Sequence, residues 1–468
     1  NSSITSLGTL TGGPGFVGTN GVGRRIQIAQ KENFDPRLGF AYRWNEQTVV
    51  RGGFGIFHAP PVGLANASAG FAAVTTSNPA LANGVTPQFN QANPFPSGLT
   101  QPTGNSLGLN TLLGQNISGM PRQQKISYSE QWSLDIQRQL PANFVVTLGY
   151  VGNNGLHLYI PVNSNQLPDT DLGLGSKLLA TVANPFYGVI TDKTSILSAS
   201  TVQYGQLLRP HPQFLNMTAT SSVGQSSYHA MQLSVEHRFS QGLALLFAYT
   251  YSKMMDNVGD YFVTAQFQDN NCTACDRSIS QQDLTNVIRL SGQYELPFGA
   301  GKPWLNHGWQ SKVVGGFTVG AFFTYDNGAP IAVSSPNYSN SFGGGTSMRP
   351  NVTGISTHVP GGRTMKSGSY YFNPAAFTAT PSFQFGNAPR YLAGVRAPGT
   401  DNFDMLAAKH LLFSERYSLD FRMEFFNAFN RVQFAGPNTS IASTSFGQIF
   451  LSQANTPREI QAGLRLSF

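Results

Sequence analysis

The chain has 468 residues, of which 11% are Asp, Glu, Lys or Arg, whereas an average soluble protein has about 25%. Hydrophobic residues make up an ordinary 40% and the mean hydropathy is −0.16, so the polarity comes largely from Gly, Ser, Thr, Asn and Gln. No run of about 18 apolar residues occurs, which excludes a membrane-spanning helix. Low charge with high polarity is typical of a β-barrel in which half of each strand faces water.

The formal net charge of +7 arises from Lys and Arg residues that are dispersed along the chain. Nucleic-acid-binding proteins concentrate such residues in a patch or stripe, so we expect no nucleic-acid partner. The sequence starts at Asn1, without an initiator Met or a signal peptide. We therefore expect a processed form or a fragment of a longer protein.

Eleven segments combine strand length with alternating apolar and polar residues, which predicts β-strands. In chain order they cover approximately residues 36–44, 48–58, 125–139, 143–158, 227–239, 243–255, 284–297, 312–328, 402–413, 416–430 and 457–468. The alternation is clearest in "RYSLDFRMEFFNAFN" (Arg416–Asn430) and poorest in 402–413. Such a strand has one apolar face and one polar face, so the function depends on what covers the apolar face.

Short and long connections alternate strictly along this series. Short turns such as "LPAN" and "SQG" join the strands in pairs, and the turn around "FGAGKPWLNHGWQ" is longer. Long stretches rich in Gly, Pro, Asn and Ser, expected to be structureless, separate the pairs at about 59–123, 159–225, 256–283, 329–400 and 431–456. All long connections then lie at one end of the sheet, as in outer-membrane barrels. Sandwiches carry loops at both ends.

Aromatic residues gather near the ends of the predicted strands. They are Trp44, Phe57, Trp132, Tyr150, Tyr159, Tyr249, Tyr251, Phe413 and Phe425. Membrane barrels place aromatic girdles at both interfaces, whereas ordinary β-propensity also enriches aromatic residues in strands. We favour the girdle because the alternation of loop lengths agrees with it.

The chain ends in the alternating sequence "REIQAGLRLSF", so the last predicted strand runs to an aromatic residue, Phe468. With this end in the periplasm, strand 36–44 also runs inward, and residues 1–34 belong to an outer loop. Closed bacterial barrels normally have an even number of strands. We therefore predict an all-β, transmembrane, antiparallel up-and-down β-barrel, to which residues 1–468 contribute about eleven of about 22 strands, as its C-terminal half.

The two cysteines, Cys272 and Cys275, lie in "NNCTACDRS". A single C-x-x-C supplies half of a zinc site, and no second pair or neighbouring His completes it. A redox motif would need a thioredoxin-like context, which the sequence lacks. Between these alternatives we favour a small disulfide that closes a loop in an oxidising compartment.

Charged residues of the predicted strands fall opposite the apolar face. The lumen-facing candidates are Asp135, Glu236, Arg238, Arg289, Glu295, Asp420, Arg422, Glu424 and Arg465. An Arg or Lys on the lipid face near the midplane costs about 2–4 kcal/mol, which explains this one-sided placement. We interpret the set as cross-strand ion pairs that hold a plug, rather than as substrate contacts, and expect ligand choice to reside in the outer loops. No catalytic arrangement is recognisable, so we predict no enzyme, no cofactor and no metal site.

Several long stretches carry a family resemblance, among them "YSEQWSLDIQRQLPANFVVTLGYVGNNGLHL" (Tyr128–Leu158) and "YHAMQLSVEHRFSQGLALLFAYTYSKMMD" (Tyr228–Asp256). With Asn33–His58, Leu290–Gly301 and Leu419–Asn438, they resemble the barrel of Oar-like TonB-dependent receptors from about residue 33 onward. The resemblance implies an outer-membrane barrel of about 22 strands preceded by a plug domain and a TonB-contacting box. Neither of these lies in this sequence, and the two cysteines are not general to the family.

The leading functional hypothesis is an outer-membrane TonB-dependent receptor or transporter for an unidentified ligand. Its expected partners are outer-membrane lipid, the barrel-assembly machinery through Phe468, and TonB only through an N-terminal region absent from this sequence. The alternative is a structural or adhesive surface protein whose outer loops contact cells or matrix. A third possibility is a soluble all-β binding protein built from the same hairpins.

Overall fold

A computed structural model describes the protein at residues 3–4, 8–19, 21–28, 30–59, 69–75, 85–87, 89–96, 98–258, 267–336, 339–345, 348–413 and 416–468. Within these ranges, none of the helices has the length and apolar character needed to cross a membrane.

Eleven antiparallel strands follow one another in chain order through a single sheet, each paired with its sequence neighbours. They are β1 (Arg37–Asn45), β2 (Thr48–His58), β3 (Tyr128–Gln139), β4 (Phe144–Asn163), β5 (Met217–Ser240), β6 (Leu243–Asp256), β7 (Asn286–Glu295), β8 (Phe317–Asp326), β9 (Asp401–Leu412), β10 (Ser418–Phe426) and β11 (Glu459–Ser467). The predicted series of strands is confirmed, with most ends shifted by a few residues.

The largest departure from the predicted bounds concerns β4 and β5, whose pairing continues from Phe144–His237 out to Asn163–Thr218. β5 has 24 residues, and at about 3.3 Å per residue it is about 80 Å long. The hydrocarbon core of a bilayer is only about 30 Å thick. The outer part of this hairpin therefore projects well beyond any membrane that the sheet crosses.

The cross-strand register places the side chains of the strands on two continuous faces of the sheet. One row of side chains runs from β4 to β9 and consists of Val146, Val235, Phe247, Leu290, Phe323 and Phe403. A row on the opposite face runs from β7 to β11 and consists of Glu295, Thr318, Ala408, Arg422 and Gly463. We call these two sides the apolar face and the charged face. Since side chains alternate with period 2, the register assigns the paired residues of all eleven strands to one of them.

The connections obey the predicted rule. The short ones, at one end of the sheet, are residues 46–47, 140–143, 241–242, 296–316 and 413–417. The long ones, at the other end, are residues 59–127, 164–216, 257–285, 327–400 and 427–458.

Short elements lie in these connections and at the start of the chain. The helices are α1 (Tyr204–Leu207), α2 (Gly308–Val314) and 3-10 turns at Gly108–Asn110, Pro141–Asn143, Asp169–Leu179, Ile196–Ser198, Thr273–Asp276 and Pro374–Ala376. The short strands are Ser3–Ile4, Gly8–Thr9, Ile117–Gly119, Thr181–Ala183, Thr201–Gln203, Ser278–Ile279, Asn351–Val352, Ser369–Tyr370, Phe377–Thr378 and Gln448–Ile449.

The buried apolar side chains lie almost entirely in the long connections. In the described part of the chain, only Ile160 and Ala230 of this buried set belong to the eleven strands. We call the described residues of connections 164–216, 257–285, 327–400 and 427–458 the cap. The expectation that these stretches are structureless was wrong, because they enclose apolar cores of their own. Over the same described ranges, the sheet itself has no protein core on either face.

Substitutions at two adjacent positions of β6 test the assignment of the two faces. Phe247 lies on the apolar face opposite Leu290, whereas Leu246 lies on the charged face opposite Ser291 and Glu236. We expect Phe247→Arg to prevent membrane assembly, because Arg in hydrocarbon costs about 2–4 kcal/mol, and Leu246→Arg to assemble normally beside Glu236. Gel mobility of unheated and heated outer-membrane samples measures assembly. Equal behaviour of the two variants would contradict the assignment of faces.

Candidate functional site

The register places the predicted lumen-facing residues on the charged face. Asp135, Arg289, Glu295, Arg422 and Arg465 occupy charged-face positions on β3, β7, β10 and β11. The same holds for Glu236, Asp420 and Glu424, and Arg238 follows Glu236 by two positions on β5. The set is spread over most of the width of the sheet and does not converge on one point.

Local ion pairs account for most of this set. The closest contacts are Asp420 to His410 Nδ1 at 2.6 Å, Arg422 to Glu424 at 2.5 Å, Lys302 to Glu295 at 2.9 Å and Arg238 to Glu236 at 3.2 Å. Arg465 lies directly opposite Asp420, and Arg289 donates to the carbonyls of Ile288 and Tyr325 at 3.0 Å. Exposed pairs of this kind contribute about 0–1 kcal/mol each, so they solvate the face more than they stabilise the fold.

The cap is held together by apolar clusters that join different connections. The largest cluster combines Ile331, Val333, Phe372 and Leu392 of connection 327–400 with Ile449 of connection 427–458. A second, made of Leu167, Leu172 and Leu178, packs against Phe342 and Phe383. A third forms around Phe186, Leu197 and Val202, with Leu10 from the start of the chain packed against it. Neighbouring loops are therefore ordered by one another.

Buried Asp–Arg pairs join connections of the cap to one another and to the outer end of β6. Asp283 accepts from Arg396 at 2.5 Å, and Asp276 accepts from Arg349 at 2.5 Å. Asp256, the last residue of β6, pairs with Arg390. Sequence analysis missed these residues because the partners are 73 to 134 positions apart and follow no periodic pattern.

The two cysteines lie beside one of these pairs. Cys272 and Cys275 form a disulfide across the 3-10 turn Thr273–Asp276. The buried Asp276 carboxylate, which binds Arg349, immediately follows Cys275 and also accepts from the backbone N–H of Gln268 at 3.2 Å. The disulfide thus restrains the turn that presents Asp276.

Buried polar groups occupy the cap interior next to the disulfide turn. The Arg209 guanidinium donates to amide oxygens of Asn165, Gln206 and Asn216 at 2.5 to 2.9 Å, and burial lowers the pKa of Arg209 to about 10. Burial raises the pKa of the Asp269 carboxyl, although the Gln166 side chain donates to it at 2.6 Å. Because these polar groups are buried away from water, each of them needs its hydrogen-bond partner in place when the cap folds.

A first cleft, with a volume of about 470 Å³, opens at the outer ends of β2 and β3, beside His157 of β4. Its aromatic wall is formed by His58, Tyr128 and His157, whose successive ring centroids are 5.1 and 5.6 Å apart. Lys31 and Lys125 also line the cleft. His58 Nδ1 lies 2.5 Å from the Asp35 carboxylate, and this hydrogen bond lowers the pKa of Asp35.

A second cleft, with a volume of about 380 Å³, opens between the outer end of β8 and the start of β9. The Arg363 guanidinium lies 3.8 Å above the Tyr371 ring, and Tyr371 donates to the carbonyl of Arg396 at 2.7 Å. Burial raises the pKa of the Tyr371 hydroxyl, and the Arg363 charge opposes that rise. Asp326 and Asp401 also line this cleft.

Both clefts are lined by cationic N–H donors, aromatic rings and carboxylates, a combination that suits ligands that carry hydroxyl groups. In the described ranges, no group of three or more His, Cys, Asp or Glu residues is placed to hold a metal ion.

Comparison with known families decides between a membrane barrel and a soluble β-protein. A family profile described as "Outer membrane beta barrel domain" matches residues 1–461. The chain belongs to this family. Its location is therefore the outer membrane of Gram-negative bacteria, and lipid is the medium that the apolar face of an outer-membrane barrel meets. No curated protein matches the sequence.

Solved structures with limited similarity include P. aeruginosa FpvA bound to heterologous pyoverdines (9% identity, 94% of this chain and 33% of that chain, TM-score 0.38). Another is the ferric-catecholate import receptor Fiu of E. coli K12 (11% identity, 92% and 34% coverage, TM-score 0.38). A third is the outer membrane transporter YddB of Escherichia coli (8% identity, 90% and 39% coverage, TM-score 0.41). The chain spans 33% to 39% of the length of these structures.

The buried ion pairs predict how the cap responds to substitution. Asp276→Asn leaves Arg349 buried without its counter-ion, which costs about 3–5 kcal/mol, so the cap opens locally. We expect faster cleavage of connection 327–400 by protease added to intact cells. Glu236→Gln breaks an exposed pair worth about 0–1 kcal/mol and serves as the control. Cleavage of Asp276→Asn at the control rate would contradict a structural role of the pair.

Proposed function

We propose that this chain is the C-terminal part of the barrel of an outer-membrane receptor of the TonB-dependent, Oar-like type, and that the whole protein takes up a ligand bound at the outer loops. Membership of the outer-membrane barrel family supports the location. The resemblance in Tyr128–Leu158 and Tyr228–Asp256 supports the type. The observation that carries ligand capture is the pair of clefts at the outer end of the sheet, of which the second is lined by residues of the ordered cap.

The edges of the sheet support a larger barrel. In the described part of the chain, β1 pairs only with β2, and β11 pairs only with β10, so each edge strand has unpaired backbone groups. In hydrocarbon such groups cost several kcal/mol each, and only closed barrels avoid them. Further strands joined to β1 and β11 would close the wall, and barrels of about 22 strands have a lumen that holds a plug.

The start of the chain fits an outer segment. Leu10 packs against the Phe186 cluster of the cap, and the Thr11 carbonyl accepts from Gln213 at 2.8 Å. Both contacts are at the end of the sheet that carries the long connections. This supports residues 1–34 as part of an outer loop.

The ordered cap supports the role of a ligand-binding receptor over that of a purely structural barrel. Its loops carry the buried Asp276–Arg349 and Asp283–Arg396 pairs and bind Asp256 of β6 through Arg390. Arg396 also lines the second cleft, so this part of the lining is held in place before any ligand arrives. Preorganisation of this kind strengthens binding by lowering the entropy that is lost on association. The described residues of the cap contain no nucleophile or acid–base pair set up for catalysis, so we do not assign an enzymatic role.

An adhesive surface protein is the second candidate. Tyr187, Val189 and Ile196 of connection 164–216 are largely exposed on the cap, and exposed apolar residues at an outer surface suit contact with cells or matrix. In either role the terminal Phe468 side chain, 85% exposed, is the residue we propose for recognition by the barrel-assembly machinery. TonB would act through an N-terminal region.

Solute depletion tests the receptor role while the ligand is still unidentified. Cells with and without the gene are incubated in filtrate of their own culture, and mass spectrometry follows which solutes disappear. We expect one class of solute to be depleted only by expressing cells, and a protonophore to abolish the depletion because uptake is energised. Unchanged solute profiles with altered attachment of cells to surfaces would replace the receptor by the adhesin.

A further inference from the structure

The connection 296–316 between β7 and β8 is the longest of the five at the short-turn end and contains helix α2. Four of its apolar side chains are exposed, namely Trp304, Leu305, Trp309 and Val313, with Trp309 73% exposed. Trp309 and Val313 are four positions apart and therefore share one side of the helix. A water-facing turn has no need of two exposed tryptophans within six residues.

A lysine fixes the side of the sheet on which the helix lies. Lys409 occupies the apolar face of β9 opposite Phe317, and its Nζ lies 4.5 Å from the centre of the Phe317 ring. The same Nζ donates to the carbonyls of Lys312 and Val313 at the C-terminal end of α2. Backbone carbonyls at a helix C-terminus stabilise a cation. The end of α2 therefore lies against the lipid-facing side of the wall.

Further aromatic and basic residues lie at the short-turn end of the sheet. Trp44 on β1 is 71% exposed and packs edge-on against Tyr42, so three of the four tryptophans of the chain are at this end of the sheet. Connection 296–316 contains Lys302, His307 and Lys312 but no Asp or Glu. Lys302 pairs with Glu295, which leaves the exposed Lys312 beside the apolar side of α2.

We propose that connection 296–316 is a membrane-interface anchor, whose occupant is the phospholipid headgroup layer of the periplasmic leaflet. In outer-membrane barrels the short turns are periplasmic, and Trp side chains prefer the interface because their rings are amphipathic. Trp304, Leu305, Trp309 and Val313 insert between the headgroups, and Lys312 binds their phosphates. This inference rests on the family and the geometry, and is independent of the proposed receptor role.

Fluorescence depth measurement tests the anchor. The intact protein, with Trp309 as its sole tryptophan after Trp→Phe changes at the other positions, is reconstituted in phosphatidylcholine vesicles with brominated acyl chains. Interfacial side chains of amphipathic helices lie about 5–10 Å into the headgroup boundary, so we expect bromolipid to lower Trp309 emission about twofold or more. Iodide in the water should quench it weakly.

A matched control is Gln310→Trp in a chain that carries Phe at position 309 and at the other tryptophan positions. Successive helical residues are about 100° apart, so this ring points to the flank of the helix and not along the side shared by positions 309 and 313, and we expect less bromolipid quenching and more iodide quenching. A Trp304-only protein gives the same readout if the Trp309-only protein does not assemble.

Two outcomes would overturn the anchor. Strong iodide quenching without bromolipid quenching would place the turn in water. Protection from both quenchers would show that a protein covers the turn. Bromolipid quenching of Trp309 that clearly exceeds that of the Gln310→Trp control supports the anchor.

Discussion

The apolar face of the sheet finds no protein partner in the described part of the chain, and the rest of the architecture depends on this fact. A row such as Val235, Phe247 and Leu290 would need a second layer in a soluble protein, yet the buried cores lie elsewhere, in the cap. Lipid supplies the missing layer in the family to which the chain belongs. Because that layer is a fluid hydrocarbon, the strands need only alternation and unbroken pairing, and precise packing is reserved for the loops.

This division separates two kinds of stability. The wall is stabilised by backbone pairing and by transfer of one face into lipid, with weak exposed pairs such as Arg422–Glu424 on the other face. The cap is stabilised as a small globular protein is, by apolar clusters and by buried pairs such as Asp276–Arg349. Long strands β4 and β5 join the two parts, since their inner portions belong to the membrane wall and their outer portions form a ribbon that leads to the cap.

Alternation was sufficient to predict the strands, the faces and the ends at which the loops lie, because period 2 and loop length are local signals. The alternation underestimated the length of β5, because Thr218–Gln225 consists largely of small polar residues that do not alternate with apolar ones. The alternation is poorest in β9, because Lys409 lies on the apolar face and depends on carbonyls of α2 for compensation, yet the predicted bounds 402–413 agree with Asp401–Leu412 to within one residue. The cap could not be predicted from the sequence, because Leu167 packs with Phe342 and no local pattern links positions so far apart.

A nitroxide scan along residues 230–235 of β5 measures whether lipid covers the apolar face. In the reconstituted protein, collision rates with oxygen and with a water-soluble nickel complex are compared position by position. We expect a period of two, with Met231, Leu233 and Val235 accessible to oxygen and closed to nickel, in antiphase with Gln232 and Ser234. Exclusion of both reagents from Leu233 and Val235 would instead show that a dry protein interior covers the apolar face in place of lipid.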